Sequence, residues 1–138
     1  MSKVVFLDIE GVLSVYGNIC ANCCDNLKNI LDDTGAKIVL SSSWRLYDND
    51  FSYVVKKLSP SGIRREYFLD KTPSFVLKGR GYEIRQWLNN NIVDSFVVLD
   101  DNEIDEKQIP QDNFFQTEPT VGLTQKIAQL CIAKLNLV

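Results

Sequence analysis

The sequence predicts an α/β fold with a central, mainly parallel sheet covered on both faces by helices. Three observations carry that prediction. The apolar, β-branched runs at residues 3–7, 36–40 and 96–99 are continuous rather than alternating, as strands buried on both faces require. Stretches with helical spacing lie between them, so strand, helix and strand follow one another as in βαβ units. Finally, 138 residues with 45% hydrophobic and 24% charged side chains suit one compact core, so residues 1–138 are expected to form a single domain.

Each element has its own signal. Residues 3–7 end at Asp8, and Gly11 follows in a tight loop. Over 22–33, Cys23, Leu27, Ile30 and Leu31 share one helical face while Asp25, Lys28, Asn29 and Asp32 take the other, and Gly35 supplies a stop. Residues 36–40 run directly into Ser41-Ser42-Ser43-Trp44-Arg45. A helix is expected over 50–58, ended by Pro60-Ser61-Gly62, and a short strand over 64–69, closed by Lys71-Thr72-Pro73. Ile84, Trp87 and Leu88 mark a helix over 81–89, after which the strand 96–99 ends in Asp100-Asp101. The polar stretch 102–120 reads as loop in which Phe114-Phe115 pair as an edge strand, and 122–135 closes the chain as a helix.

Composition excludes several chemistries. The net charge of −3 gives no general attraction to nucleic acid or anionic lipid, so any such attraction must be local. The absence of histidine removes Ser-His-Asp and Cys-His nucleophilic systems and the usual nitrogen ligands of zinc, copper and non-haem iron. Of the cysteines, Cys20, Cys23 and Cys24 form a C-x-x-C-C cluster, but only Cys131 remains to complete a zinc site. They read as reduced thiols at a helix start and in the core. No run of about 20 apolar residues is present, and an acid at position 8 interrupts any signal-peptide pattern, so a cytoplasmic protein is expected, without a membrane partner.

The strand ends carry the chemistry. Ligands of parallel sheets bind beyond the carboxyl ends of the strands, where Asp8, Ser41 with Ser42, and Asp100 with Asp101 would converge. Carboxylates gathered there repel one another, and a hard divalent cation with few oxygen ligands and retained waters, Mg2+, relieves the repulsion. Such a cation commonly also meets a substrate phosphate. Lys78 or Arg80, at the start of the third helix, would neutralise that phosphate, and the serine hydroxyls and backbone N–H groups would donate to its oxygens.

These residues resemble a known family. Phe6-Leu7-Asp8-Ile9-Glu10-Gly11-Val12-Leu13 is similar to the first motif of the haloacid dehalogenase (HAD) superfamily, a hydrophobic strand running into Asp-x-Asp-Gly. The second motif, a strand ending in Ser or Thr, corresponds to Ser41 or Ser42; the third, a basic residue at a helix start, to Lys78 or Arg80; the fourth to Val97-Val98-Leu99-Asp100-Asp101. Ile38-Val39-Leu40-Ser41-Ser42-Ser43-Trp44-Arg45, Arg80-Gly81-Tyr82-Glu83-Ile84 with Trp87-Leu88, and Gly122-Leu123-Thr124 further resemble the small HAD domains of Swiss Army Knife RNA repair proteins.

The resemblance implies a three-layer Rossmannoid fold and a magnesium-dependent phosphoester hydrolase. Asp8 would be the nucleophile, forming an aspartyl-phosphate. The Asp8 carboxylate, the Glu10 backbone carbonyl and Asp100 would hold Mg2+, with Asp101 beside them. The family has Asp where this chain has Glu10, the acid that protonates the leaving group and activates water. The extra methylene displaces the carboxyl by about 1.5 Å, when about 1 Å can cost a hundredfold, so Glu10→Asp is expected to raise turnover. An alternative reading has Glu10 abolishing turnover and leaving a phosphate-, nucleic-acid- or partner-binding module. Neither interval that usually houses a cap, before the first helix or over 45–75, is long enough for an independent domain. The open site would admit nucleotide or polynucleotide end phosphates, with Trp44, Arg45, Arg64 and Arg65 on its rim.

Overall fold

The computed structural model describes residues 2–47 and 50–137 and has the expected α/β layering. Its strands are β1 (Lys3–Leu7), β2 (Ser14–Val15), β3 (Asn18–Ile19), β4 (Lys37–Leu40), β5 (Phe68–Lys71), β6 (Ser95–Asp100) and β7 (Phe114–Gln116). Its helices are α1 (Ala21–Thr34), α2 (Ser52–Leu58), α3 (Arg80–Asn89) and α4 (Gln125–Leu135). Single 3-10 turns at Ser43–Leu46, Ser59–Ser61, Arg65–Tyr67 and Gln111–Asn113 join them.

Five strands form one sheet in the order β5-β4-β1-β6-β7, with every neighbouring pair parallel. Its two faces divide the apolar residues by strand alternation. Val5, Leu7, Ile38, Leu40, Val97 and Leu99 pack with α1, α2 and α4 through Leu27, Ile30, Val54, Ala128 and Cys131. Val4, Phe6, Val39 and Val98 pack on the other face with Ile84 and Trp87 of α3. The result is three layers, with the strands buried on both sides as their unbroken apolar runs require.

Local signals hold at several boundaries. Gly35 ends α1 in the left-handed conformation, φ 73°, and Thr124 caps α4 by accepting from the Ile127 N–H. All four cysteines are free thiols, and Cys23, Cys24 and Cys131 are buried. Three boundaries differ from expectation. The strand expected at 64–69 begins at Phe68, because Arg65–Tyr67 form a 3-10 turn whose end is closed by the Phe68 N–H donating to the Arg65 carbonyl. The last helix begins at Gln125, since Gly122 is left-handed (φ 78°), its N–H donates to the Glu118 carbonyl, and Thr124 takes the cap position. The β2–β3 hairpin was not foreseen; Tyr16 and Gly17 turn it at φ 52° and 77°, both left-handed as a two-residue hairpin turn needs.

The interval before α1 holds only this hairpin, and that between β4 and α3 only α2, β5 and single turns, so no cap covers the strand ends among the described residues. No helix among them is long and apolar enough to cross a membrane.

Candidate active site

The carboxyl ends of four adjacent strands place Asp100, Asp8, Ser41 and Thr72 side by side. The sheet ladder continues one residue past each apolar run: Asp8 N–H donates to the Leu99 carbonyl, Ser41 N–H to Leu7 and Thr72 N–H to Leu40, each at 3.0 Å. Leu7, Leu40 and Leu99 face α1 and α4, so the next residue on each strand faces α3. Asp70, two residues before Thr72, accepts from Trp87 Nε1 of α3 at 2.7 Å and fixes the same parity for β5. All four residues are buried.

Among the described residues, the buried side-chain oxygens without a hydrogen-bond partner are Ser41 Oγ and Thr72 Oγ1. An unpaired buried hydroxyl costs about 1–3 kcal/mol, and both belong to this row. Ser42 differs: its Oγ accepts from the Trp44 N–H at 3.2 Å and caps the 3-10 turn. Thr72 carries no signal in the sequence, since a strand over 64–69 places it in the closing loop Lys71-Thr72-Pro73.

Charge decides the rest of the geometry. Carboxylate oxygens of Asp8, Asp100 and Asp101 lie within 4.8 Å of one another, a grouping able to hold a metal ion. Arg80, the first residue of α3, lies against two of them, its Nη1 at 2.7 Å from Asp100 Oδ2 and 3.3 Å from Asp8 Oδ1. Burial, then Asp100, pushes the Asp8 carboxyl far above its usual 3.8, with Arg80 opposing. Burial likewise raises Asp100, again against Arg80. Burial works against the Arg80 charge, but Asp100 and then Asp8 outweigh it and raise its pKa. Oxygen-only donors, and acids that resist ionising together, are the chemistry a hard divalent cation answers.

Gly11 lets this cluster close. A Cβ there would lie 2.3 Å from Asp101 Oδ2, and φ is 78°, so no other residue fits without displacing the acid. Thr117 Oγ1 donates to the Gly11 carbonyl at 2.7 Å and Gly11 N–H to the Ser14 carbonyl at 2.7 Å, which hold the loop after β1. Glu10 stands at the exposed edge of that loop, and its Oε1 accepts from Trp44 Nε1 at 3.1 Å.

Other candidates fall elsewhere. Lys78 Nζ lies 5.7 Å from the Tyr82 ring centre, whereas Arg80 reaches the acids. Arg45 is not a rim residue but is buried. Its guanidinium donates to the carbonyls of Ser41, Ser42, Thr72 and Pro73 and pairs with Glu83 at 3.0 Å, and Glu83 Oε2 accepts from the Phe75 N–H at 2.7 Å. Arg64 and Arg65 also leave the rim: they precede β5 and so lie at the amino end of that strand, opposite the site. There Arg64 pairs with Glu66 and Arg65 with Asp50. A cleft of about 490 Å³ lies between Glu103 and Gln116, but its acids Glu103, Asp105 and Glu106 would repel a phosphate.

A family model described as the HAD domain in Swiss Army Knife RNA repair proteins matches residues 4–128. The match spans β1 through the first residues of α4 and so includes every strand end described above. No curated protein matches the chain, and no solved structure does.

Proposed function

The chain belongs to the HAD domains of Swiss Army Knife RNA repair proteins, and from that membership we propose that it is a magnesium-dependent phosphomonoesterase acting through an aspartyl-phosphate. The observation that carries the reading is the burial of Asp8 beside Asp100 and Asp101, with Arg80 bridging the first two.

In this reading the Asp8 carboxylate attacks the substrate phosphorus while the bond to the leaving oxygen breaks, and Glu10 gives its proton to that oxygen. Water then attacks the aspartyl-phosphate, Glu10 takes a proton from it, and Asp8 leaves as carboxylate together with inorganic phosphate. Asp8, Asp100, Asp101 and the Glu10 backbone carbonyl would hold Mg2+, which when bound neutralises phosphate charge and keeps Asp8 ionised. The Ser41 hydroxyl, unpaired among the described residues, donates to a phosphoryl oxygen, and Arg80 balances the charge of the phosphorylated Asp8. Thr72, one strand further from Asp8 than Ser41 is, offers a second hydroxyl to the substrate.

The substrate class we assign is a nucleotide or polynucleotide end phosphate. The lack of a cap among the described residues and the family's description support it. Release of phosphate from an aryl phosphate with Mg2+, abolished by Asp8→Asn, tests the reaction. A panel of sugar phosphates, nucleotides and 3′- or 5′-phosphorylated oligonucleotides tests the class, with the oligonucleotides expected to give the highest kcat/KM. No turnover on any member would overturn the enzyme reading.

A further inference from the structure

We propose that Trp44 is a positioning residue for Glu10, an inference that rests on the phosphatase reading and assigns how a glutamate is aimed where the family has aspartate. The indole N–H donates to Glu10 Oε1 at 3.1 Å. Glutamate has one more rotatable bond than aspartate, and immobilising such a side chain costs conformational entropy. A fixed partner offsets that cost and selects one position for the carboxyl.

Trp44 is built as such a partner. It sits in the 3-10 turn directly after Ser41 and Ser42, and its own N–H donates to Ser42 Oγ. The next residue, Arg45, anchors the turn through buried bonds to the Ser41, Ser42 and Thr72 carbonyls and to Glu83. The indole ring lies edge-on to Tyr53 at 5.3 Å, and Tyr53 in turn meets Tyr47 at 5.0 Å. The donor therefore stands on a turn locked to the strand ends, with its ring held from the side.

The chemistry of the donor suits an acid that must give and take a proton. An indole N–H only donates and carries no charge. It holds Oε1 in one place and leaves Oε2 as the oxygen through which the proton passes. Aspartate at position 10 would end about 1.5 Å short, beyond hydrogen-bond range of the indole. The contact thus reverses the direction expected from the sequence for Glu10→Asp, which should lower turnover.

The test combines kinetics with the two indole signals of a 1H–15N spectrum, those of Trp44 and Trp87. Trp44→Phe keeps the ring and removes the N–H. It should lower kcat between about tenfold and a hundredfold with KM little changed, and add nothing further in a Glu10→Asp background. The Trp44 signal, identified by its loss in Trp44→Phe, should move in Glu10→Ala, while that of Trp87, bonded to Asp70, stays. A Trp44 signal unmoved by Glu10→Ala, or an equal kcat loss from Trp44→Phe in both backgrounds, overturns the inference while hydrolysis by the wild type still upholds the phosphatase reading. Absence of hydrolysis in the wild type overturns that reading and this inference together.

Discussion

Breaking the Arg45–Glu83 pair should destabilise the fold far more than breaking an exposed pair of shorter length. Arg45 and Glu83 side chains are 4% and 9% exposed, and their ions are 3.0 Å apart. Burial pulls the Arg45 guanidinium below its usual pKa, and Glu83 opposes the shift, so the charge is retained because its partner is there. Arg45→Met strands a buried carboxylate and removes the donor from the Ser41, Ser42 and Thr72 carbonyls. Removing one partner of a buried pair costs about 3–5 kcal/mol, so a loss of about 4 kcal/mol is expected in urea denaturation. Glu83→Gln keeps an acceptor for the Phe75 N–H and should cost about half as much. The double variant should fall short of the sum by about 1–2 kcal/mol, because the two groups share one interaction. Arg64→Ala is the control: Arg64 and Glu66 approach to 2.7 Å, yet both side chains are 62% exposed, and the denaturation midpoint should not move. Equal losses from Arg45→Met and Arg64→Ala, or strict additivity in the double variant, would refute the argument from burial.

Three further outcomes follow from the same geometry. Mg2+ at a hundred times its Kd should add about 2.7 kcal/mol to the stability of the metal-free protein, and beryllium fluoride should add more; melting curves unchanged by both, and by EDTA, would remove the metal site. Because the Asp8 carboxyl is raised from 3.8 to about 8, it favours the metal-free fold fully below pH 4, and that contribution is lost as pH rises toward 8; Asp8→Asn should flatten this decline while abolishing turnover, as melts across pH 4–8 would register. Burial pushes the Cys24 thiol to about 11 and Cys23 and Cys131 to about 12, so iodoacetamide at pH 8 should label only Cys20 in the native protein and all four thiols after denaturation, as mass spectrometry would count.

Legibility in the sequence followed the range of the interaction. Strands β1, β4 and β6 were readable because their apolar runs are set by burial on both faces, a condition each strand meets residue by residue. Arg80 could not be separated from Lys78 by sequence alone, since the choice depends on where α3 begins and only the first helical residue meets the acids. Arg45 looked like a rim residue because a lone arginine after a strand gives no sign of the glutamate, far along the chain, that pairs with it. Arg64 and Arg65 follow the second motif along the chain, but by then the chain has passed α2 and returned to the amino ends of the strands, where β5 begins. Trp44 was visible as a residue and invisible as a partner of Glu10, because the bond joins loops after two different strands.

The site nevertheless follows from one simple rule applied four times. In a parallel sheet the strands run in register, and side chains alternate between faces. Leu7 is flanked by Leu40 on one side and Leu99 on the other, and Leu40 is paired with Lys71. The residues that follow them, Asp8, Ser41, Asp100 and Thr72, must therefore form a single row on the α3 face, with neighbours about 4.8 Å apart. That spacing is close enough for Asp100 to raise the Asp8 carboxyl and for one guanidinium to touch both, as Arg80 does. A strand longer or shorter by one residue would send its polar end to the α1 and α4 face, into an apolar core with no cation to meet it. The lengths of the apolar runs, which the packing alone would leave adjustable, are thus fixed by the chemistry at their ends.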